Sequence, residues 1–417
     1  MFLPRPKTLR NALSPAIVAS WFLGYGIFEY PFGHPRPKAS LCWSILTAVL
    51  YLVVSMVADI RPMEILGFPK SQLSNRVYDF GVYINIVLVL VTSLRGRIWE
   101  KKTSLRLEKI SAIDDTLKML GAPEDYSSIF KTQIVQLSAY FLLISIPGIV
   151  TGTLYANQFA SRLSYLCCIA SLCYGTLYIF LVDTRICELF RYIGRCFERL
   201  NGCLVQTAVL RSHIPNEFHL NPDRGSAIFP MSREIHGNRR LFAATGSKWM
   251  IHVLRQTRII HSDLCVLGIE MNSTFSVHIL ISLILNVLNV ISLLFFTGNW
   301  TISRGNFHPK YETVGLLLSS AWLSLQLIKL FQFVYICSKT SSQSRRTGKL
   351  IYEFLSSTTN DDIGQEIHSL SLQLIQNPLL FTAGGMFKLD FGSLIEIGGL
   401  IVTYVVIMIQ MNIAHET

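Results

Sequence analysis

The chain is short of charge. Asp, Glu, Lys and Arg make up 15% of its 417 residues, against roughly 25% in a soluble globular domain. Apolar residues supply 51%. That balance excludes an ordinary cytosolic enzyme and an intrinsically disordered chain. The sequence contains no HExxH, GxSxG, P-loop or GxGxxG pattern, so catalytic residues are not expected. None of the nine cysteines forms a CxxC pair and the ten histidines are scattered. Neither a metal nor a cofactor is therefore expected.

What the chain has is long uncharged runs. Ala39 to Ala58 carries no charge, and twenty such residues cross a hydrocarbon core of about 30 Å as a helix. Phe80 to Leu94, extended by Val77 and Tyr78, reads as a second span. Ile134 to Leu154, Leu163 to Val182 and Phe275 to Phe296 read as the third, fourth and fifth. Val314 to Cys337, with Lys329 inside it, is the sixth, and Phe391 to Ile413, interrupted only by Glu396, is the seventh. The fold class expected is an all-α, seven-helix polytopic membrane protein. Ala12 to Phe28 follows Arg5, Lys7 and Arg10 but lacks a small-x-small cleavage pattern. It reads as an interfacial segment rather than a signal peptide.

Most of the 37 basic residues fall in the N-terminal tail and in the loops Arg95–Lys131, Asp183–Glu270 and Ser338–Asp390. The positive-inside rule then places the N-terminus in the cytoplasm and the C-terminus outside. This is opposite to a G-protein-coupled receptor. The exoplasmic loops contain no cysteine, and the nine thiols lie in spans or on the cytoplasmic side, where they stay reduced. Asn299-Trp-Thr301 is a glycosylation sequon in an exoplasmic loop, whereas the sequon at Asn272 lies at the cytoplasmic start of a span. Basic residues facing anionic lipid account for the net charge of +11 without nucleic acid. Lys329 lies toward the inner end of its span and is expected to snorkel to the cytoplasm.

Past Asp183 the apolar residues Ile186, Leu189, Phe190, Ile193, Phe197 and Leu200 keep helical spacing. Trp249, Val253, Ile260, Leu264 and Leu267 repeat it before the fifth span. Gly348 to Leu374 is a third amphipathic stretch, and Gln206 to Gly246 reads as a flexible loop. These divide the chain into a cytoplasmic tail (1–38), six spans with their extensions (39–337, long loop 183–270) and a C-terminal unit (338–417).

In the last span Glu396, Leu400, Thr403, Ile407 and Gln410 are spaced four, three, four and three apart, along one stripe. A carboxylate and an amide are costly against lipid. Copies of the stripe around an axis would make apolar rings capped by polar ones, as in a dewetting gate. The other reading is a core helix of a monomeric bundle. Gly398 and Gly399 allow close helix approach.

Thr403-Tyr404, five apolar residues and Gln410-Met411 resemble the signature of the insect gustatory receptors, a family related to the odorant receptors. That signature ends in Gln-Phe, so Met411 is a departure. The segment Phe381-Thr-Ala-Gly-Gly-Met-Phe-Lys-Leu-Asp390 is also similar to the family's. The topology resembles the family throughout.

The resemblance implies a tastant-gated, non-selective cation channel in the plasma membrane of a sensory neuron dendrite. It implies a homo- or hetero-tetramer with the last helix of each subunit lining the pore. Gln410 and Met411 would lie near the outer constriction, and Tyr404 would pack between helices. It also implies a ligand pocket among the second to sixth spans. Tyr83, Asn85, Thr151, Tyr155, Tyr165, Ser171, Ser319, Ser320 and Trp322 are the candidates, an aromatic wall with a few polar groups that suits a neutral small molecule. A G-protein-coupled-type receptor and a secondary transporter are the alternatives. The transporter predicts matched broken helices, and Pro147-Gly148 is the one interruption of this kind seen in the spans.

Overall fold

The computed structural model describes residues 6–29, 34–57, 72–154, 162–212, 239–302, 309–356, 361–376 and 378–416. Two short helices, α1 (Leu9–Ala12) and α2 (Ser14–Phe22), precede α3 (Pro37–Val57), α4 (Gln72–Met119), α5 (Tyr126–Leu154), α6 (Arg162–Ser212), α7 (Arg239–Ile302) and α8 (Pro309–Ser356). Then follow α9 (Asp361–Gln376), a hairpin of β1 (Thr382–Ala383) and β2 (Phe387–Lys388), and α10 (Phe391–Glu416). Seven helices, α3 to α8 and α10, are long and apolar enough to cross a membrane.

Helix length organises the molecule. α7 has 64 residues, which at 1.5 Å each is about 95 Å, three times a hydrocarbon core. Together α4, α6, α7 and α8 therefore project far beyond their apolar segments. The projections form an extended end; the opposite end has the short loops. Helix continues through Gln206 to Ser212 and from Arg239 onward, so both ends of the stretch read as a flexible loop are regular. The remainder, 213–238, lies outside the described residues. α5 is continuous through Pro147, which removes the one interruption noted in the spans.

The extensions pack on one another. Phe190, Ile193, Phe197 and Leu200 of α6 are fully buried in a core with Ile260, Leu264 and Leu267 of α7. A second cluster joins Leu204, Met250, Leu254 and Ile351 to Ile363, Ile367 and Leu370 on one face of α9. Several polar groups between them are paired. Asn201 donates to the Gln343 carbonyl at 2.9 Å and accepts from the Thr347 hydroxyl at 2.8 Å.

Local chemistry explains the ends. α4 stops where Gly121 takes φ +91°, with Ala122 N–H donating to the Leu117 carbonyl and Gly121 N–H to that of Lys118. This is the Schellman arrangement, which a Cβ at that φ would strain. Asp125 then accepts from Ser127 N–H at 3.0 Å and caps α5. Arg199 ties this turn to α6 through Asp114 and Glu124. Burial pushes the Glu124 carboxyl up, against the pull of Arg199 and Arg195.

The N-terminal segment does not lie alone along a leaflet. Ala16, Ile17, Ser20 and Trp21 of α2 are buried, and Tyr174 of α6 donates to the Leu23 carbonyl at 2.8 Å. Ser40 and Ser44 of α3 donate to the carbonyls of Gly26 and Gly24 at 2.7 Å. Protein, rather than lipid, meets its polar backbone. All nine cysteines are free thiols.

Phe190 is fully buried and packs on Phe381 with ring centroids 4.5 Å apart. Phe190→Ala is expected to cost about 3–5 kcal/mol and to lower the melting temperature of the detergent-purified chain. Tyr352→Ala, at a side chain 72% exposed, should leave it unchanged.

Candidate functional site: the last helix and the polar interior

The approach to α10 is built from the segment Phe381–Asp390. Gly384 and Gly385 turn the hairpin at φ +63° and +72°. A Cβ on Gly384 would come within 2.6 Å of Leu280, so glycine is required there twice over. Thr382 is clamped by Asn272, which accepts from Thr382 N–H at 3.3 Å and donates to its hydroxyl at 3.1 Å. The Asn272 sequon is thus buried and engaged. Phe381, Ala383 and Leu389 enter the core. Asp390 accepts from Ser393 N–H at 3.0 Å, and the Ser393 hydroxyl accepts in turn from Asp390 N–H at 3.3 Å. This reciprocal cap fixes where the last helix begins.

α10 has two unlike faces. Ser393, Ile401 and Met408 are buried, with Ile397 and Val405 half-buried between them. Ile401 and Met408 pack on Val290, Ile291 and Phe295 of α7. On the other side Glu396, Leu400, Thr403, Ile407 and Gln410 are all exposed, as are Tyr404 and Met411. Among the described residues no cation pairs with Glu396. The Thr403 hydroxyl donates to the Gly399 carbonyl at 2.9 Å, within its own helix. A Cβ on Gly398 or Gly399 would meet nothing within 4 Å, so these glycines leave a groove open.

The described ligand candidates lie on α4, α6 and α8, in different surroundings. Tyr83 is 67% exposed and points away from the bundle. Asn85 is half-buried, and its side-chain oxygen has no hydrogen-bond partner among the described residues. Ser171 hydroxyl meets that of Ser55 at 2.7 Å between α6 and α3. Ser319 accepts from Thr297 at 3.3 Å, and Ser320 is exposed, bonded to its own helix. Trp322 packs beside Ile144, Phe180 and Leu325. Thr151, Tyr165 and Asn299 lie on helices, but their side chains, like all of Tyr155, are outside the described residues.

Sequence reading passed over a polar stripe on α7. His278, Ser282 and Asn286 recur every fourth residue and are all buried. Asn286 donates to the Gln326 side chain at 2.9 Å and to its carbonyl at 3.1 Å, while its own side-chain oxygen has no partner among the described residues. The spacing within an apolar span was the available signal. Lys329 is a correction. It does not snorkel to the cytoplasm but pairs with Asp183 at 2.7 Å, since a carboxylate within reach in the interior is a better partner than distant water.

A family model described as 7tm chemosensory receptor matches residues 13–415. The chain is 20% identical over 345 residues to the protein named putative gustatory receptor 28b of Drosophila melanogaster, covering 81% of this chain and 71% of that one. It is 28% identical over 165 residues to the gustatory receptor for bitter taste 66a of the same species, covering 38% and 30%. The solved structure of the insect olfactory receptor OR5 from Machilis hrabei superposes with a TM-score of 0.60 at 13% identity, over 97% of this chain and 98% of that one. Its complex with eugenol gives 0.58 at the same identity and coverage. These last two likenesses establish the fold.

The two faces of α10 should respond differently to truncation. Ile401→Ala is expected to destabilise the chain by about 2–4 kcal/mol. Val402→Ala, at a side chain 62% exposed and off the polar stripe, should change the melting temperature by no more than about a degree.

Proposed function

The chain belongs to the 7tm chemosensory receptor family, a family of membrane receptors, and on that premise we propose that it is a tastant-gated, non-selective cation channel. Its last helix lines a pore shared by four subunits, as a homo- or hetero-tetramer. The N-terminus is cytoplasmic, and the protein works in the plasma membrane of a sensory neuron dendrite.

One observation carries this reading: α10 buries one face and leaves the stripe Glu396, Leu400, Thr403, Ile407 and Gln410 uncovered. Against lipid, a carboxylate or an amide within a span is costly and faces protein or water instead. Around an aqueous axis the same groups are solvated. Leu400 and Ile407 then form apolar rings that dewet the closed pore, bounded by polar rings of Glu396 and Gln410. Glu396 attracts cations at the inner mouth. Met411 stands where the family's signature has Phe and sets a softer constriction. Tyr404, at the edge of the stripe, packs on the neighbouring subunit, with Gly398 and Gly399 admitting that helix.

The ligand sits inside each subunit toward the short-loop end. Asn85, Ser319 and Trp322 are the contacts best supported, because each faces a neighbouring helix or holds an unpaired polar atom. Apolar walls with isolated hydroxyl and amide groups fit an uncharged small molecule.

The test is ionic current from cells expressing the chain during a panel of sugars and bitter compounds. Gln410→Ala should alter conductance or leak. Cysteine at 407 or 410 should render the current sensitive to a water-soluble thiol reagent, and cysteine at 408 should not. Wild-type currents that none of these changes affects would remove the pore assignment and leave the receptor role standing.

A further inference from the structure

Three helices meet at one buried carboxylate, and a fourth reaches it through His278. Asp183 of α6 accepts from His278 Nε2 at 2.9 Å, from the Ser282 hydroxyl at 2.7 Å and from Lys329 Nζ at 2.7 Å. An ionised carboxylate only accepts, which makes Nε2 the protonated nitrogen of His278. Nδ1 then takes the Thr92 hydroxyl of α4 at 3.3 Å. Lys329 also reaches Ser282 at 3.2 Å and lies 4.8 Å above the Phe180 ring. Two residues on, α6 is pinned from its other side. Arg185 donates to Glu100 of α4 at 2.8 Å and to Ser20 of α2 at 3.0 Å, and stacks over Tyr25 at 5.2 Å. An acid and a base on the same turn thus fasten α6 in both directions.

Packing changes at this level. Between residues 162 and 177 of α6, only Ser164, Ser171 and Gly175 are buried among the described side chains. From Tyr178 to Phe190 every residue except Arg185 is buried. On α6 the short-loop half is loosely covered, and the extended half lies in a close-packed core. Parting α6 from α8 at Asp183 would strand a charge in that interior, which is far costlier than tilting the loose halves above it.

We infer that the Asp183–Lys329 pair, braced by His278, Ser282 and the Arg185–Glu100 pair, is a pivot that stays closed while the short-loop halves of the helices tilt about it. The inference concerns motion within one subunit and does not require the chain to conduct ions.

Hydrogen exchange of the purified full-length chain in lipid nanodiscs, read by mass spectrometry, tests this. In the parent, exchange should step down between residues 177 and 186. Asp183→Asn and Lys329→Met each strand one partner and should speed exchange in 186–204 by about tenfold or more. The double variant strands nothing and should return it to within about threefold of the parent. Exchange in 162–177 of the double variant should match the parent. The idea is overturned by a parent with no step, or by single variants that exchange like the parent. It is equally overturned by a double variant whose 162–177 exchange rises tenfold, since the pair would then be a latch that opens. Should neither single variant fold, the double decides: monodisperse protein supports the pair, and its absence overturns it.

Discussion

Asp183 and Lys329 meet at 2.7 Å inside a bundle whose surroundings are apolar, and neither could stay ionised there alone. The rest of the subunit is arranged around satisfying such groups. His278 and Ser282 fill the remaining acceptor positions of the carboxylate. Thr92 completes the imidazole, and Arg185 finds Glu100 on the opposite side of the same helix. Hydrogen bonds to a charged group in a poorly solvated interior are directional and hard to exchange. They fix which helix faces which more narrowly than leucine and isoleucine packing could, because apolar contacts tolerate repacking.

The same logic sets the course of the chain at its ends. The N-terminal segment exposes the carbonyls of Trp21, Gly24 and Gly26, and side chains of α3 take all three. The hairpin before α10 turns on two glycines and hangs from Asn272. Its job is geometric. It brings the chain from the packed extensions to the point where Asp390 and Ser393 cap a new helix. The position of the exposed stripe on α10 is therefore inherited from contacts several turns away. A change in the core under Phe381, which stacks on Phe190, would be transmitted to the start of α10.

Much of this architecture is written in one-dimensional signals. An uncharged run from Ala39 to Ala58 gives α3 to within about two residues, and the helical spacing from Ile186 to Leu200 gives the extension of α6. The two-faced character of α10 is equally legible, since period and polarity share one stretch. What the sequence hides are partnerships between distant positions. Asp183 looks like the first residue of a loop because a charge usually ends a span, and Lys329 looks like a snorkelling side chain for the same reason. Each is explained only by the other, 146 positions away in the chain and brought together by the parallel passage of α6 and α8. The ligand candidates suffer similarly. Nothing near Ser171 in the chain announces that Ser55 of α3 engages its hydroxyl.

The contrast between the interior and the last helix is itself informative. Inside the bundle nearly every buried charged group among the described residues has found a partner, even where three helices must converge to supply it. On α10 Glu396 and Gln410 are left uncovered on a helix otherwise as apolar as any span. A chain that satisfies Asp183 so completely does not neglect Glu396 for want of basic residues, because it carries 37 of them. The uncovered stripe makes physical sense if its solvent or its partner comes from outside the subunit. Water around an axis and neighbouring copies of the same helix would supply both. On this view the buried pair and the exposed stripe divide the work. One holds the helices of a subunit in register, and the other leaves the final helix free to meet its counterparts.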